Sequence, residues 1–176
     1  RLERGTREYN TSAEDLAKNK NTDAEFDFDA VTAIDPSKTL LDPSDINPDL
    51  ILGNLFIPTI DVNLVLFKGL DNSILNAGVG TMRPDQEMGV GNYPIAGHWA
   101  RKKDLLLASL DQLKEGDKIY ITDKGKLYEY EMFSMRVVGD TEVQWIEDQV
   151  AEQHGAPIIS LMNCYYEDEE DSAFVS

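Results

Sequence analysis

The sequence holds one cysteine and two histidines, and their placement decides which of them could do chemistry. Cys164 closes the apolar run PIISLMN and is followed by the strongly polar YYEDEED. His98 closes NYPIAG in the same way, with Ala96 and Gly97 leaving the backbone before it uncrowded. Both stand where a strand gives way to a loop, and that is where a rigid scaffold presents side chains to solvent. Nucleophilic thiol chemistry needs a thiolate and a group able to protonate a leaving amine, so one Cys and one such His are the minimum set. The opposing reading is packing, because an unpaired cysteine is among the most often buried residue types. Spacing along the chain does not choose between the two. His154, within the polar AEQHGA, reads as a solvated surface residue.

The elements that would position these residues are short. Residues 1–50 are polar and acidic, with TSAEDLAKNK offering a capped helical turn or two and DPSK, LDPSD and INPD supplying proline breakers, so they read as a partly helical arm or linker. From residue 51 the texture changes to β-rich segments. NLFIPTI and VNLVLFKG carry β-branched and aromatic residues with partial alternation, and LDNSILNAGVGTM interrupts them with a short helical stretch. KKDLLLASLDQL predicts a short amphipathic helix that starts near Asp104 and ends before Gly116. DKIYITDKGKLYEYEMFSMRVV predicts a hairpin turning at DKGK, where Gly125 would take the positive φ. Its second arm sets Leu127, Glu129 and Glu131 on one face and Tyr128, Tyr130 and Met132 on the other. EVQWIEDQVAEQHGA is too polar for core and predicts a long loop with a helical turn, before PIISLMNC and SAFVS close the chain as strands. Seven or eight short strands with few helices and no repeats predict an antiparallel barrel or sandwich, since strands this close in sequence leave little room for crossover helices.

Composition narrows the function classes. At 176 residues and 41% hydrophobic, the chain supports one ordinary core plus an appendage. Asp and Glu outnumber Lys and Arg 33 to 16, a net charge of -17 that repels phosphate backbones and anionic headgroups and argues against nucleic acid as a partner. A single cysteine excludes an internal disulfide and a cysteine-rich zinc site. The longest apolar runs, such as LLLASL, fall far short of the roughly 18 residues that cross a bilayer.

Five stretches, LFIPTIDVNLVLFKG followed by GVGTM, NYPIAGHW, DKIYITDKGKLYEYEM and ISLMNC, occur in an order and at a spacing that resembles the sortases, most closely the class A or housekeeping type. The resemblance covers about residues 51–176 and leaves residues 1–50 as the arm outside the catalytic domain. The family's cysteine motif, Thr-Leu-x-Thr-Cys, stands here as Ser160, Leu161, Met162, Asn163 and Cys164, a looser version that keeps the Leu and the Cys. The resemblance implies an all-β, closed eight-stranded barrel with short helices. It also implies transpeptidation at a Leu-Pro-x-Thr-Gly sorting signal of a surface protein, with Cys164 forming a thioester at the Thr carbonyl and His98 protonating the departing Gly amine. The acceptor would be an amine on a peptidoglycan precursor or pilin subunit of a Gram-positive wall. Such an enzyme works at the extracellular face of the membrane, held by a single-pass N-terminal anchor that this sequence does not include. An unperturbed thiol near about 8.5 and an imidazole near about 6.5 make the reactive ion pair scarce at neutrality, so slow turnover is expected. Ala96, Met162, Val143, Trp145 and Ile146 match positions that line the family's apolar groove for Leu-Pro, although Trp145 would suit ordinary packing as well. No cofactor is expected. Calcium is the one ion the acidic run at 167–171 could take, but consecutive acids point in different directions and lack EF-hand spacing.

The sequence departs from the family at one functional position. Sortases carry an Arg on the strand after the cysteine to help hold the developing oxyanion, and here that strand is SAFVS. The matching position is Ser172, or Ala173 if the acidic loop is one residue longer. Three readings stand: a substitution that weakens the enzyme, a lineage that works without this Arg, or service by Arg101 or Arg136. The first is favoured because SAFVS otherwise keeps strand character. Two rival functions remain beside transpeptidation: a cysteine peptidase that hydrolyses the thioester, and a catalytically silent barrel that only holds sorting-signal peptides.

Overall fold

A computed structural model describes residues 12–26, 46–98, 109–139, 143–164 and 171–175. Within them, nine strands form one sheet that curls into a nearly closed barrel, in the order β6-β5-β1-β2-β3-β4-β8-β9-β7. The strands are β1 (Ile51–Ile57), β2 (Val62–Phe67), β3 (Val79–Thr81), β4 (Asn92–His98), β5 (Lys118–Thr122), β6 (Leu127–Glu131), β7 (Met135–Gly139), β8 (Ile158–Cys164) and β9 (Asp171–Val175). Three short helices, α1 (Ala13–Asn19), α2 (Asn72–Ala77) and α3 (Asp148–His154), accompany them. The β-barrel class expected from the sequence stands. The tally reaches nine because the three-residue β3, which follows α2, pairs as a strand of its own.

Two pairings depart from an all-antiparallel sheet. β2 and β3 run parallel, because α2 provides a short crossover whose start is capped by the Asp71 carboxylate accepting from the Ile74 N–H at 2.9 Å. β4 and β8 also run parallel, joined by a long connection that holds β5, β6, β7 and α3. Pro94 sits inside β4 without cost to that ladder. Its carbonyl accepts from the Met82 N–H and the Gln86 amide on the β3 side, so its missing N–H falls where the β3 ladder ends.

Alternation sorts the apolar side chains into two layers. Leu55, Ile57, Leu64, Leu66, Ile95, Ile121, Ile159 and Leu161 fill the barrel interior. Val65, Phe67, Ala96 and Met162, on the other face of the same strands, pack outside it with Ile74 and Leu75 of α2 and Leu16 of α1. The arm is therefore docked where it is described. Ser12 caps α1, Leu16 is fully buried, and the Asn19 amide donates to the carbonyls of Pro48 and Ile51 at 3.0 and 2.9 Å.

The β5–β6 hairpin forms as expected, with Glu129 and Glu131 exposed and Met132 buried, but its turn differs. Lys124, not Gly125, takes the positive φ of 67°. The Asp123 carboxylate accepts from the N–H groups of Gly125 and Lys126, closing a side-chain turn that sets the backbone one residue earlier. The segment read as one long second arm is broken after Glu131, and its continuation β7 pairs with β9 instead. Residues 102–108 of the expected helix lie outside the described residues, and its described end is a single 3-10 turn, Leu110–Gln112. EVQWIEDQVAEQHGA holds a 3-10 turn at Val143–Ile146 followed by α3.

Candidate functional site

The ends of β4 and β8 bring the two candidate residues together. The parallel register runs from Asn92 opposite Ile158 to His98 opposite Cys164, so the two residues are direct cross-strand partners. Adjacent strands lie about 4.8 Å apart, and paired residues share a face of the sheet. By the same alternation, positions 92, 94, 96 and 98 of β4 share the outer face with 158, 160, 162 and 164 of β8.

The row continues across the sheet. Cys164 pairs on its other side with Ser172 of β9, and Ser172 pairs in turn with Val138 of β7. Ala173 is the partner of Asn163, one step out of phase. Of the two positions matched to the family arginine, the register thus sets Ser172 beside Cys164 and on its face. Arg136 pairs with Phe174, one row back, level with Met162 and Ala96, and Arg101 lies outside the described residues.

The groove residues converge on the outer layer. Ala96 and Met162 are buried side by side as β4–β8 partners, and Trp145 and Ile146 pack half-buried against the same cluster from the 3-10 turn. Val143 opens that turn. Trp145 and Ile146 thus cover the outer face of β4 and β8 at Ala96 and Met162, and the register sets positions 98 and 164 two residues further along the same strands.

The 3-10 turn and the start of α3 are held by a polar cluster that the sequence did not announce. Asp148, at the start of α3, accepts from the Asn92 backbone N–H at 3.0 Å and from the Arg83 guanidinium at 2.9 Å. The Asn92 hydrogen bond first, and Arg83 second, hold its carboxyl below the usual carboxylate range. Arg83 also reaches Glu147 at 3.6 Å and Asp85 at 3.8 Å, and donates to the Asn92 carbonyl at 3.1 Å. The available signal was Asn92 itself, a strand-averse residue opening a strand. His154 ends α3, exposed and stacked on the Phe133 ring with centroids 4.0 Å apart, in keeping with a surface role. The acidic run at 167–171 lies outside the described residues except for Asp171. Among the described residues, no group of three His, Cys, Asp or Glu is placed to hold a metal ion. None of their helices is long and apolar enough to cross a membrane.

The family model described as Sortase domain matches residues 55–175. Sortase A of Listeria monocytogenes is 37% identical over 164 residues, covering 93% of this chain and 72% of that protein. Sortase A of Streptococcus agalactiae is 33% identical over 158 residues, covering 87% of this chain and 62% of its own length. Among solved structures, Listeria monocytogenes sortase A superposes with a TM-score of 0.64 at 36% identity, covering 72% of this chain and 84% of that one. Sortase C-1 of Actinomyces oris superposes at 0.62 over 93% of this chain and 94% of its own, and at 22% identity it speaks for the fold alone.

Proposed function

The chain belongs to the sortase family of cysteine transpeptidases, which act at the extracellular face of the cell membrane, and from that premise we propose that Cys164 and His98 are its nucleophile and its proton donor. The observation that carries this reading is their cross-strand pairing at the ends of the parallel strands β4 and β8. The substrate is a surface-protein sorting signal of the Leu-Pro-x-Thr-Gly type. Its Leu-Pro lies in the slot between the floor, Ala96 and Met162, and the wall, Val143, Trp145 and Ile146.

The Cys164 thiolate attacks the Thr carbonyl carbon, forming a C–S bond and pushing the electron pair onto the carbonyl oxygen. Collapse of that intermediate breaks the Thr–Gly C–N bond as the His98 imidazolium gives its proton to the departing amine. The thioester is then attacked by an amine of a peptidoglycan precursor or pilin subunit. The C–S bond breaks, His98 takes the amine proton, and the ion pair is restored. These steps draw only on the side chains of the chain and the two substrates.

The oxyanion formed in both halves of the reaction is poorly served. The family places a guanidinium fork at the position of Ser172, and a small hydroxyl there leaves the developing charge without it. The chain therefore works as an attenuated transpeptidase. The same observation favours a second reading, a barrel that holds sorting signals without cleaving them. A native amine acceptor also separates transfer from hydrolysis.

The test is intact-mass spectrometry after incubation with a Leu-Pro-x-Thr-Gly peptide, with and without an amine acceptor. The acyl adduct is expected on Cys164, with ligated product when the amine is present, and neither with Cys164→Ala. An unmodified Cys164 beside bound peptide would establish the silent binder, and an adduct resolved only to free acid would establish a hydrolase.

A further inference from the structure

The reaction uses the far ends of β4 and β8, while the near ends of the same strands meet at one buried amide. Asn92, the first residue of β4, is fully buried. Its Nδ2 donates to the carbonyls of Trp145 at 2.8 Å and Glu147 at 3.1 Å, and its Oδ1 accepts from the Ser160 hydroxyl at 2.8 Å. The amide's orientation is fixed by chemistry, since two carbonyls can only be met by the NH2 end. Both of its N–H donors are used.

The partners matter more than their number. Trp145 lies in the 3-10 turn that forms the groove wall, and Glu147 follows it. Ser160 stands on β8 in the face that carries Met162 and Cys164. A single carboxamide thus ties the wall to both floor strands, those that end in His98 and Cys164. Arg83 and Asp148 clamp the same junction from the far side, through the Asn92 backbone and the start of α3. Gly91, just before the hub, has a φ of 56°, and a Cβ there would run into the Asp148 carboxylate, so the backbone is shaped to let the two segments meet.

We propose that Asn92 is a positioning residue for the peptide groove: its carboxamide sets the height of the Trp145–Ile146 wall above the Ala96–Met162 floor, and with it the affinity for the apolar head of the sorting signal. This rests on the sortase reading of that groove. Asn92 touches no reacting atom in this scheme. It acts through the wall.

Asn92→Asp tests it, because Asp keeps the shape and the acceptor for Ser160 but can offer at most one donor, and only when protonated, where the amide offers two. Three quantities are measured on the full chain: amide hydrogen exchange in residues 143–150 against β1 and β2, the affinity for a fluorescent Leu-Pro-x-Thr-Gly peptide, and the iodoacetamide alkylation rate of Cys164. Exchange is expected to rise in 143–150 alone, peptide affinity to fall about tenfold, and alkylation to hold. Ser160→Ala removes only one bond of the hub and is expected to weaken the peptide about threefold. Affinity unchanged in both variants would overturn the positioning role, as would exchange that rises equally across β1 and β2, which marks a general fold staple. Should Asn92→Asp fail to fold, Ser160→Ala decides by the same criteria. Absence of peptide binding by the unaltered chain would sink the substrate reading and the positioning role together, whereas binding indifferent to the hub sinks the positioning role alone.

Discussion

The inner and outer faces of β4 and β8 are built from alternate residues of the same two strands, yet they do different work. Inward, Tyr93, Ile95, Ile159 and Leu161 join the sealed apolar filling of the barrel. Outward, the sequence turns mixed: Asn92, Pro94, Ala96 and His98 on one strand face Ile158, Ser160, Met162 and Cys164 on the other. The inner face needs only volume and apolarity, which any close-packed set supplies. In the proposed chemistry the outer face needs an order along the strand: a polar anchor, then an apolar floor, then the reacting pair. The difference shows how a two-residue period lets one strand pair carry stability and chemistry without compromise between them.

The largest effect expected from breaking this contrast lies in the row of Cys164. Ser172→Arg should raise the rate of acyl-enzyme formation about 100 to 1,000-fold by returning an oxyanion donor, while Ala173→Arg, out of phase by one residue, should not. Stopped-time mass spectrometry reads both. Equal behaviour of the two variants would show that the register does not govern the site.

Next come the two faces themselves. Leu161→Ala, at a fully buried inner position, should cost about 3 kcal/mol in denaturant unfolding, while the folded fraction keeps its affinity for the peptide. Met162→Ala, on the outer floor, should cost about 2 kcal/mol and also weaken the peptide. A peptide effect from Leu161 and none from Met162 would invert the assignment of the faces.

A smaller effect distinguishes two glycines with left-handed backbones. Gly155, with a φ of 84°, closes α3 in open space, so Gly155→Ala should cost about 1 kcal/mol through the backbone alone. Gly91→Ala adds a collision with the Asp148 carboxylate and should cost about 2 kcal/mol, measured by the same unfolding curves. Equal costs would mean that the Asp148 junction yields freely.

The smallest effect is the pH dependence of that junction. The Asp148 pKa is lowered by the Asn92 N–H and by Arg83, whose guanidinium also faces Glu147 and Asp85. A lowered folded value means that the stabilisation is whole above the ordinary value of 3.8 and fades as pH falls through and below it. Because Asp148 is more than half exposed, its worth is less than about 1 kcal/mol after solvent screening. The melting-temperature gap between the unaltered chain and Asp148→Ala should be present at neutral pH and narrow as pH falls below 3.8. A gap that widens on acidification would contradict the assignment.

Local pattern made much of this legible and non-local pairing hid the rest. Partial alternation in VNLVLF identifies a strand, alternation in LYEYEM a strand with a wet face, and the strand ends at His98 and Cys164 stand out by the change to polar sequence. The two parallel pairings did not show, because register between strands far apart in the chain leaves no trace in either strand's own pattern. The transfer of β7 to β9 escaped for the same reason. At the turn, Gly125 drew attention through its intrinsic freedom, but the Asp123 side chain moved the positive φ to Lys124. Asn92 stood out as a strand-averse residue, but the hub it forms did not show, because two of its partners are backbone carbonyls, which every residue possesses. The groove residues Ala96, Met162, Trp145 and Ile146 came from family resemblance, and their convergence in one outer cluster is what the structure adds.

The account depends above all on the lateral contact of positions 98 and 164. His98→Cys, oxidised mildly in the folded full chain, tests it directly, since strands about 4.8 Å apart fall within the Cα separations that a disulfide spans. The prediction is an intramolecular bridge between the introduced thiol and Cys164: a mass lower by two hydrogens, with both thiols closed to alkylation until reduced. Two free thiols, or bridging only between separate molecules, would contradict the pairing on which the proposed chemistry stands.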